Sequence, residues 1–234
     1  MESINSKYEQ FYACRTRSKV YPTEFVVRSF LADYPDLKLV KPSQGDRILD
    51  MAFGDGRNTL FLCELGLSVS GVEITEGIVR QTSIRLRKQG YEADLRVGRN
   101  SEIPFKSNTF KYILASHCIY YCDTGQTLRD NLFEYSRVLE PGGWLVASVA
   151  CSNSYIFKDA KPQCDGSFII NCDPYGNRNG YRLFAFDNRK HLEEYFSEYF
   201  WNFSIGFADN DYFGICEKVF WIVCQNIESR NNSN

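Results

Sequence analysis

Between Arg47 and Ala150 the chain alternates short apolar, β-branched runs with longer stretches of helical period. RILDM, SVSGVEI, ADLRVG, FKYILAS and WLVASVA read as strands, and RNTLFLCELG, TEGIVRQTSIRLRKQG and TLRDNLFEYSRVLE read as helices. Gly66, Gly90 and Pro141-Gly142-Gly143 stand where those helices should stop. Strands largely alternating with helices predict an α/β domain on a doubly wound, mostly parallel sheet. Residues 1–40 are helical and aromatic, with Val26, Val27, Phe30 and Leu31 on roughly one face, and are expected to form an N-terminal helical cap or lid. After Cys151 the pattern loosens into a polar, turn-rich segment, followed by a helix over about 188–200 and strand-like runs at 201–207 and 218–224. The main domain is therefore placed at 41–227, and the polar tail 228–234 is expected to be disordered.

Composition narrows the partners. With 234 residues and 44% hydrophobic content, one domain with a sizeable core is expected. Lys plus Arg number 27 against 29 for Asp plus Glu, so nothing in the charge advertises a nucleic acid or an anionic membrane. Nine cysteines is an odd number, the start MESINSKYEQ has no apolar signal core, and no apolar run is long enough to span a bilayer. Reduced thiols in the cytoplasm are the expectation. Cys118 and Cys122 have no second pair to complete a zinc site, so no metal is expected.

The chemistry concentrates in RILDMAFGDGRNTLFLCELGLSVSGVEIT. A strand ends at Asp50, the chain turns through Ala52, Gly54 and Gly56, a helix begins, and a second strand ends at Glu73. In a doubly wound sheet such a turn lies at the carboxyl ends of the strands, where small residues admit a ligand and a helix offers free N–H groups. An acid ending the second strand can accept both hydrogen bonds of a ribose diol, which suits an adenosine-containing ligand. A dinucleotide fingerprint would need glycine or alanine where Thr59 stands, and Asp50 would repel a pyrophosphate while suiting a cationic tail.

LDMAFGDGRN resembles the first motif of class I S-adenosylmethionine-dependent methyltransferases. VEI, SEIPFKSNTFKYILAS and LFEYSRVLEPGGWLVAS resemble the later segments of that family, in order and spacing, from about Arg47 to Ala150. The resemblance implies a Rossmann-like sheet of seven strands and S-adenosyl-L-methionine as cofactor. It also implies that Asp50, Ala52, Gly54 and Gly56 contact the methionine end, that Glu73 holds the ribose and Ile74 packs on the adenine, and that Asn100 and Ser101 meet the adenine edge. Arg57, Asn58 and Ser116 complete the implied cofactor set. Ala52 replaces the usual first glycine, a change tolerable at negative φ. The family's usual adenine-side acid falls at Arg99 or Asn100, and of these only Asn100 has an oxygen that can accept from the amino group.

Methyl transfer from a sulfonium is an in-line displacement for which positioning supplies much of the rate. For a hydroxyl acceptor a general base would help, and His117, at the end of the fourth strand, is the histidine placed for it. Tyr12, Tyr21, Tyr120 and Tyr121 are candidate walls of the acceptor pocket. The helical start and the segment 152–185 together suit a small or sugar-like acceptor, methylated on oxygen or nitrogen. Each residue also has a plainer role: Asp50 and Glu73 as helix caps, His117 as strand-end packing, the tyrosines as core. Two rivals fit the same turn, a nicotinamide-dependent oxidoreductase and a non-catalytic partner protein that keeps the methyltransferase fold.

Overall fold

The computed structural model describes residues 4–13 and 19–227; the tail 228–234, expected to be disordered, lies outside them. The predicted alternation is present from the first strand-forming run, RILDM, onward. β1 (Arg47–Met51), α3 (Arg57–Glu64), β2 (Ser68–Glu73), α4 (Glu76–Lys88), β3 (Asp94–Val97), β4 (Phe110–Ser116), α5 (Leu128–Val138) and β5 (Leu139–Ala150) follow α1 (Ile4–Ala13) and α2 (Glu24–Leu31). Three short strands, β6 (Lys161–Pro162), β7 (Ser167–Ile169) and β8 (Arg182–Phe184), precede α6 (Arg189–Phe196) and the hairpin β9 (Phe200–Asp211) to β10 (Cys216–Asn226).

The main sheet has seven strands in the order β3-β2-β1-β4-β5-β10-β9. β3, β2, β1, β4 and β5 pair in parallel, while β10 pairs antiparallel with both β5 and β9. Chain order reverses beside β1, so the carboxyl ends of β1, β2 and β4 open onto one crevice, where ligands bind in doubly wound sheets.

Both faces of the sheet are covered, and successive strand residues divide between them. Leu49, Ile113, Leu145 and Ala147 enter a core with α5 and α6, whereas Ile48, Tyr112, Leu114, Trp144 and Val146 enter a second core with α2 and α3. Local chemistry sets the helix starts: Thr75 Oγ1 accepts the Ile78 N–H at α4, and Thr127 with Asp130 forms a capping box at α5.

The anticipated N-terminal cap divides in two. α2 buries Phe25, Val26, Ser29 and Phe30 in the second core and leaves Leu31 exposed, so its apolar face is rotated from the one read in the sequence. Only α1 lies over the crevice. The segment after β5 is also more ordered than its polar composition suggested: β6, β7 and β8 form a small antiparallel sheet. It is tied to the loop after β4 by Cys122 N–H to Arg182 O at 2.9 Å and Phe184 N–H to Tyr120 O at 2.8 Å. Strands of two or three residues carry too little alternation to be read in advance.

Candidate active site

The β1–α3 turn and the end of β2 are joined through one carboxylate. Glu73 is buried; its Oε1 accepts the Gly54 N–H at 3.1 Å and its Oε2 the Ile74 N–H at 2.7 Å. Burial pushes this carboxyl up to about 7 in spite of those bonds. Thr75, not Glu73, caps α4, so Glu73 keeps acceptor capacity on both oxygens for a ligand in the crevice.

Ala52 has φ +53°, which corrects the expectation of negative φ. Its N–H donates to Val72 O at 2.8 Å, so the β1–β2 pairing holds the residue while the chain turns away above it. A left-handed alanine costs about 1–2 kcal/mol. Asp50 is also corrected: it is 1% exposed, accepts the Thr59 hydroxyl at 2.7 Å, and does not reach the cavity wall. It braces α3 beneath the turn, and burial raises its carboxyl to about 7.

Tyr12 of α1 lies across the turn, where a Cβ at Gly54 would overlap its ring. Its carbonyl accepts from the Gln81 amide at 2.9 Å. It therefore walls the turn end of the cavity. Gly54 and Gly56 lie behind the wall, and Gly56 packs on the Thr82 methyl. Arg57 pairs with Asp55 at 2.7 Å, and Asn58 Oδ1 accepts the Thr23 N–H and hydroxyl at 3.0 and 3.1 Å; both Arg57 and Asn58 line the cavity, as do Ile74 and Ser116.

Asn100 is held by three hydrogen bonds within the protein. Its Oδ1 accepts the Tyr135 hydroxyl at 2.8 Å and its amide donates to Cys118 O and Tyr121 O at 2.8 and 3.1 Å. These bonds pin the loop after β4, and Asn100 lines the cavity with one of the two acceptor positions of its carbonyl already used. Ser101 lies off the wall. Arg99 pairs with Asp123 at 2.7 Å, and both line the cavity.

The cavity encloses about 500 Å³ and runs without interruption from Ala52, Glu73 and Ile74 to His117, Tyr120, Tyr121 and beyond. His117 has φ +56° and anchors its N–H on Ser148 Oγ at 3.0 Å. Burial, reinforced by the Arg178 charge, holds its imidazole down at about 4, so it is neutral at physiological pH. The Tyr121 and Tyr8 hydroxyls lie 2.9 Å apart, clasping α1 to the loop after β4. Tyr21 is 75% exposed and borders a separate surface groove with Pro22 and Leu60; it is not a wall of this cavity.

The sequence did not disclose the far end. Tyr155, Tyr181 and Arg178 complete it, from the segment that carries β6 to β8. An arginine inside DPYGNRNG has the look of a solvated turn, and only the tyrosines nearby hinted otherwise. Asp173, in the same string, accepts the Tyr175 and Arg178 N–H groups and shapes that turn.

Comparison with known proteins agrees with this geometry. Residues 49–147 match the family of the methyltransferase domain. The chain is 26% identical over 132 residues to the ubiquinone biosynthesis O-methyltransferase of Maricaulis maris, covering 56% of this chain and 51% of that one. It is 28% identical over 134 residues to the demethylmenaquinone methyltransferase of Tropheryma whipplei, covering 55% and 54%. The chain thus spans about half the length of the curated relatives it matches. The N-methyltransferase NodS of Bradyrhizobium japonicum, solved with S-adenosyl-L-homocysteine, superposes over 97% of this chain and 100% of its own with a TM-score of 0.64 at 13% identity, a likeness of fold. Motif, strand order and family match converge on one region: residues 49–147 match the methyltransferase domain family, on a sheet of the same fold as the solved methyltransferases.

Proposed function

We propose that this protein transfers a methyl group from S-adenosylmethionine to a small-molecule acceptor held in the same cavity. The observation that carries the reading is the continuity of that cavity, from the Glu73 end to the His117 and tyrosine end. A cofactor and an acceptor bound at those two ends would meet beneath α1. The buried Glu73 carboxylate, oriented by two backbone N–H groups with acceptor capacity left over, fits a ribose diol. Ile74 offers an apolar face for a base, and Arg57, Asn58 and Ser116 line the same end. When bound, the sulfonium supplies the methyl group already activated; the chain's part is to align the acceptor and exclude water.

His117 is the proposed base toward an acceptor hydroxyl. Its imidazole is neutral, so it can take a proton, and it lies where β4 delivers it to the cavity. Two relatives bear names of quinone methyltransferases, which supports a small acceptor over a macromolecule, as does the near-balance of charge. None of the described helices is long and apolar enough to cross a membrane. Buried free thiols at Cys63, Cys118, Cys122, Cys151 and Cys224 support a reducing, cytoplasmic setting.

Calorimetry with S-adenosyl-L-homocysteine and with NAD tests the cofactor reading. Binding of the first and not the second is expected, and tighter binding of NAD would overturn it. Incubating the protein with a metabolite extract and isotopically labelled cofactor, followed by mass spectrometry, tests turnover and separates an enzyme from a non-catalytic partner.

A further inference from the structure

Arg178 stands at the far end of the cavity, in a setting that its protein neighbours satisfy only in part. Its guanidinium is largely enclosed, with its side chain 26% exposed. One Nη1–H donates to the Tyr155 hydroxyl at 2.6 Å. Asp173 stands 3.7 Å from the same nitrogen, which balances charge but exceeds hydrogen-bond length. The Asp173 carboxylate is occupied by the backbone N–H groups of Tyr175 and Arg178. The Nε–H is buried without an acceptor among the described residues.

A guanidinium has five donors in a planar fork, and enclosing it with most of them unused is costly. The other groups facing it do not supply the missing acceptors. Tyr8, Tyr120 and Tyr121 act on it through space and accept no hydrogen bond from it among the described residues, and the His117 imidazole near it is neutral. Glu217 faces it from β10, but burial pushes that carboxyl upward and it makes no hydrogen bond to Arg178 among the described residues. What the fork matches is a planar or tetrahedral oxyanion, which it can hold by two parallel N–H···O bonds.

We propose that Arg178 is the recognition site for an acidic group, a carboxylate or a phosphate ester, on the methyl acceptor. The proposal rests on the reading of the cavity as a methyl-transfer site and narrows its substrate class to anions. The tyrosines around Arg178 then provide an apolar and aromatic sleeve for the acceptor's body, and the acid fixes which atom is turned toward His117.

The test uses the whole protein saturated with S-adenosyl-L-homocysteine and two matched pairs of probes, benzoate with benzamide and phenyl phosphate with phenol. Binding is read by ligand-observed NMR and calorimetry. In at least one pair the acid should bind at least about tenfold more tightly than its neutral partner. Arg178→Gln should abolish that preference, and Arg178→Lys, which keeps the charge but loses the fork, should restore part of it. Affinity for S-adenosyl-L-homocysteine should be unchanged in both variants, which shows that they fold. Equal affinity within both pairs, no binding by either acid, or a preference that survives Arg178→Gln overturns the proposal. Failure of S-adenosyl-L-homocysteine to bind the wild-type protein would instead overturn the cofactor reading.

Discussion

Glu73 Oε1 accepts the Gly54 N–H at 3.1 Å, tying the end of β2 to the turn after β1. The bond makes one side chain both the organiser of the turn and the acid that faces the cavity. It also explains why a carboxylate is kept in a place that burial makes unfavourable for charge, since its carboxyl is pushed up to about 7.

Replacing Glu73 should therefore act on cofactor affinity first. Glu73→Gln removes charge-assisted acceptance and is expected to weaken S-adenosyl-L-homocysteine binding by about 1.5–3 kcal/mol while the domain stays folded. Because the carboxyl is raised to about 7, wild-type affinity should climb as pH rises from about 6 to about 8, as the carboxylate form fills. Calorimetry across that range checks both, and a pH-independent affinity would remove Glu73 from the ribose site.

Asp50 bears on stability instead. Its carboxyl rises from 3.8 to about 7 on burial, so between those values the folded chain holds a proton that the unfolded chain has released. Stability from this group is thus full below about pH 4 and is lost as pH rises through 7. Asp50→Asn keeps an acceptor for the Thr59 hydroxyl and removes the buried charge. It should stabilise the protein by on the order of 2 kcal/mol more at about pH 8 than at about pH 5. Thermal melts of both proteins at the two pH values decide this; equal Tm differences at both would refute it.

The left-handed backbone at Ala52 gives a third expectation. Ala52→Gly relieves an unfavourable φ but frees the unfolded chain, so a net gain of up to about 1 kcal/mol is expected. Ala52→Val should cost more than about 2 kcal/mol, because a β-branched residue fits that region poorly. Urea unfolding measures both, and a tolerated valine would mean that the turn can re-form with φ below zero.

His117→Asn should lower turnover by about 100-fold once an acceptor is in hand, with S-adenosyl-L-homocysteine affinity nearly unchanged. Its imidazole sits at about 4 rather than near neutrality, so the folded enzyme carries it uncharged through the physiological range. The mutation should accordingly leave any ionisation near pH 7 in the rate profile intact and alter only an acidic limb. Near-normal turnover would return His117 to a packing role at the end of β4.

The sequence by itself determined the alternation of strands and helices, the glycine turn after β1 and the acid ending β2, because each is written in local pattern: periodicity, turn residues and strand-end position within some thirty residues of one another. It could not tell which polar atoms face the cavity. Asp50 and Asn100 belong to the motif, yet Thr59 and Tyr135 engage them from neighbouring helices, and a hydrogen bond to a group on another element leaves no mark on local spacing. Tyr12 and Tyr21 looked alike in sequence, but the packing of α1 seats one on the turn while the other is left on the surface. Arg178 was hidden for the same reason. Only the small sheet β6-β7-β8, fastened to the loop after β4, carries a polar turn into the tyrosine-lined end of the cavity, where removal from water turns an ordinary loop arginine into a binding group.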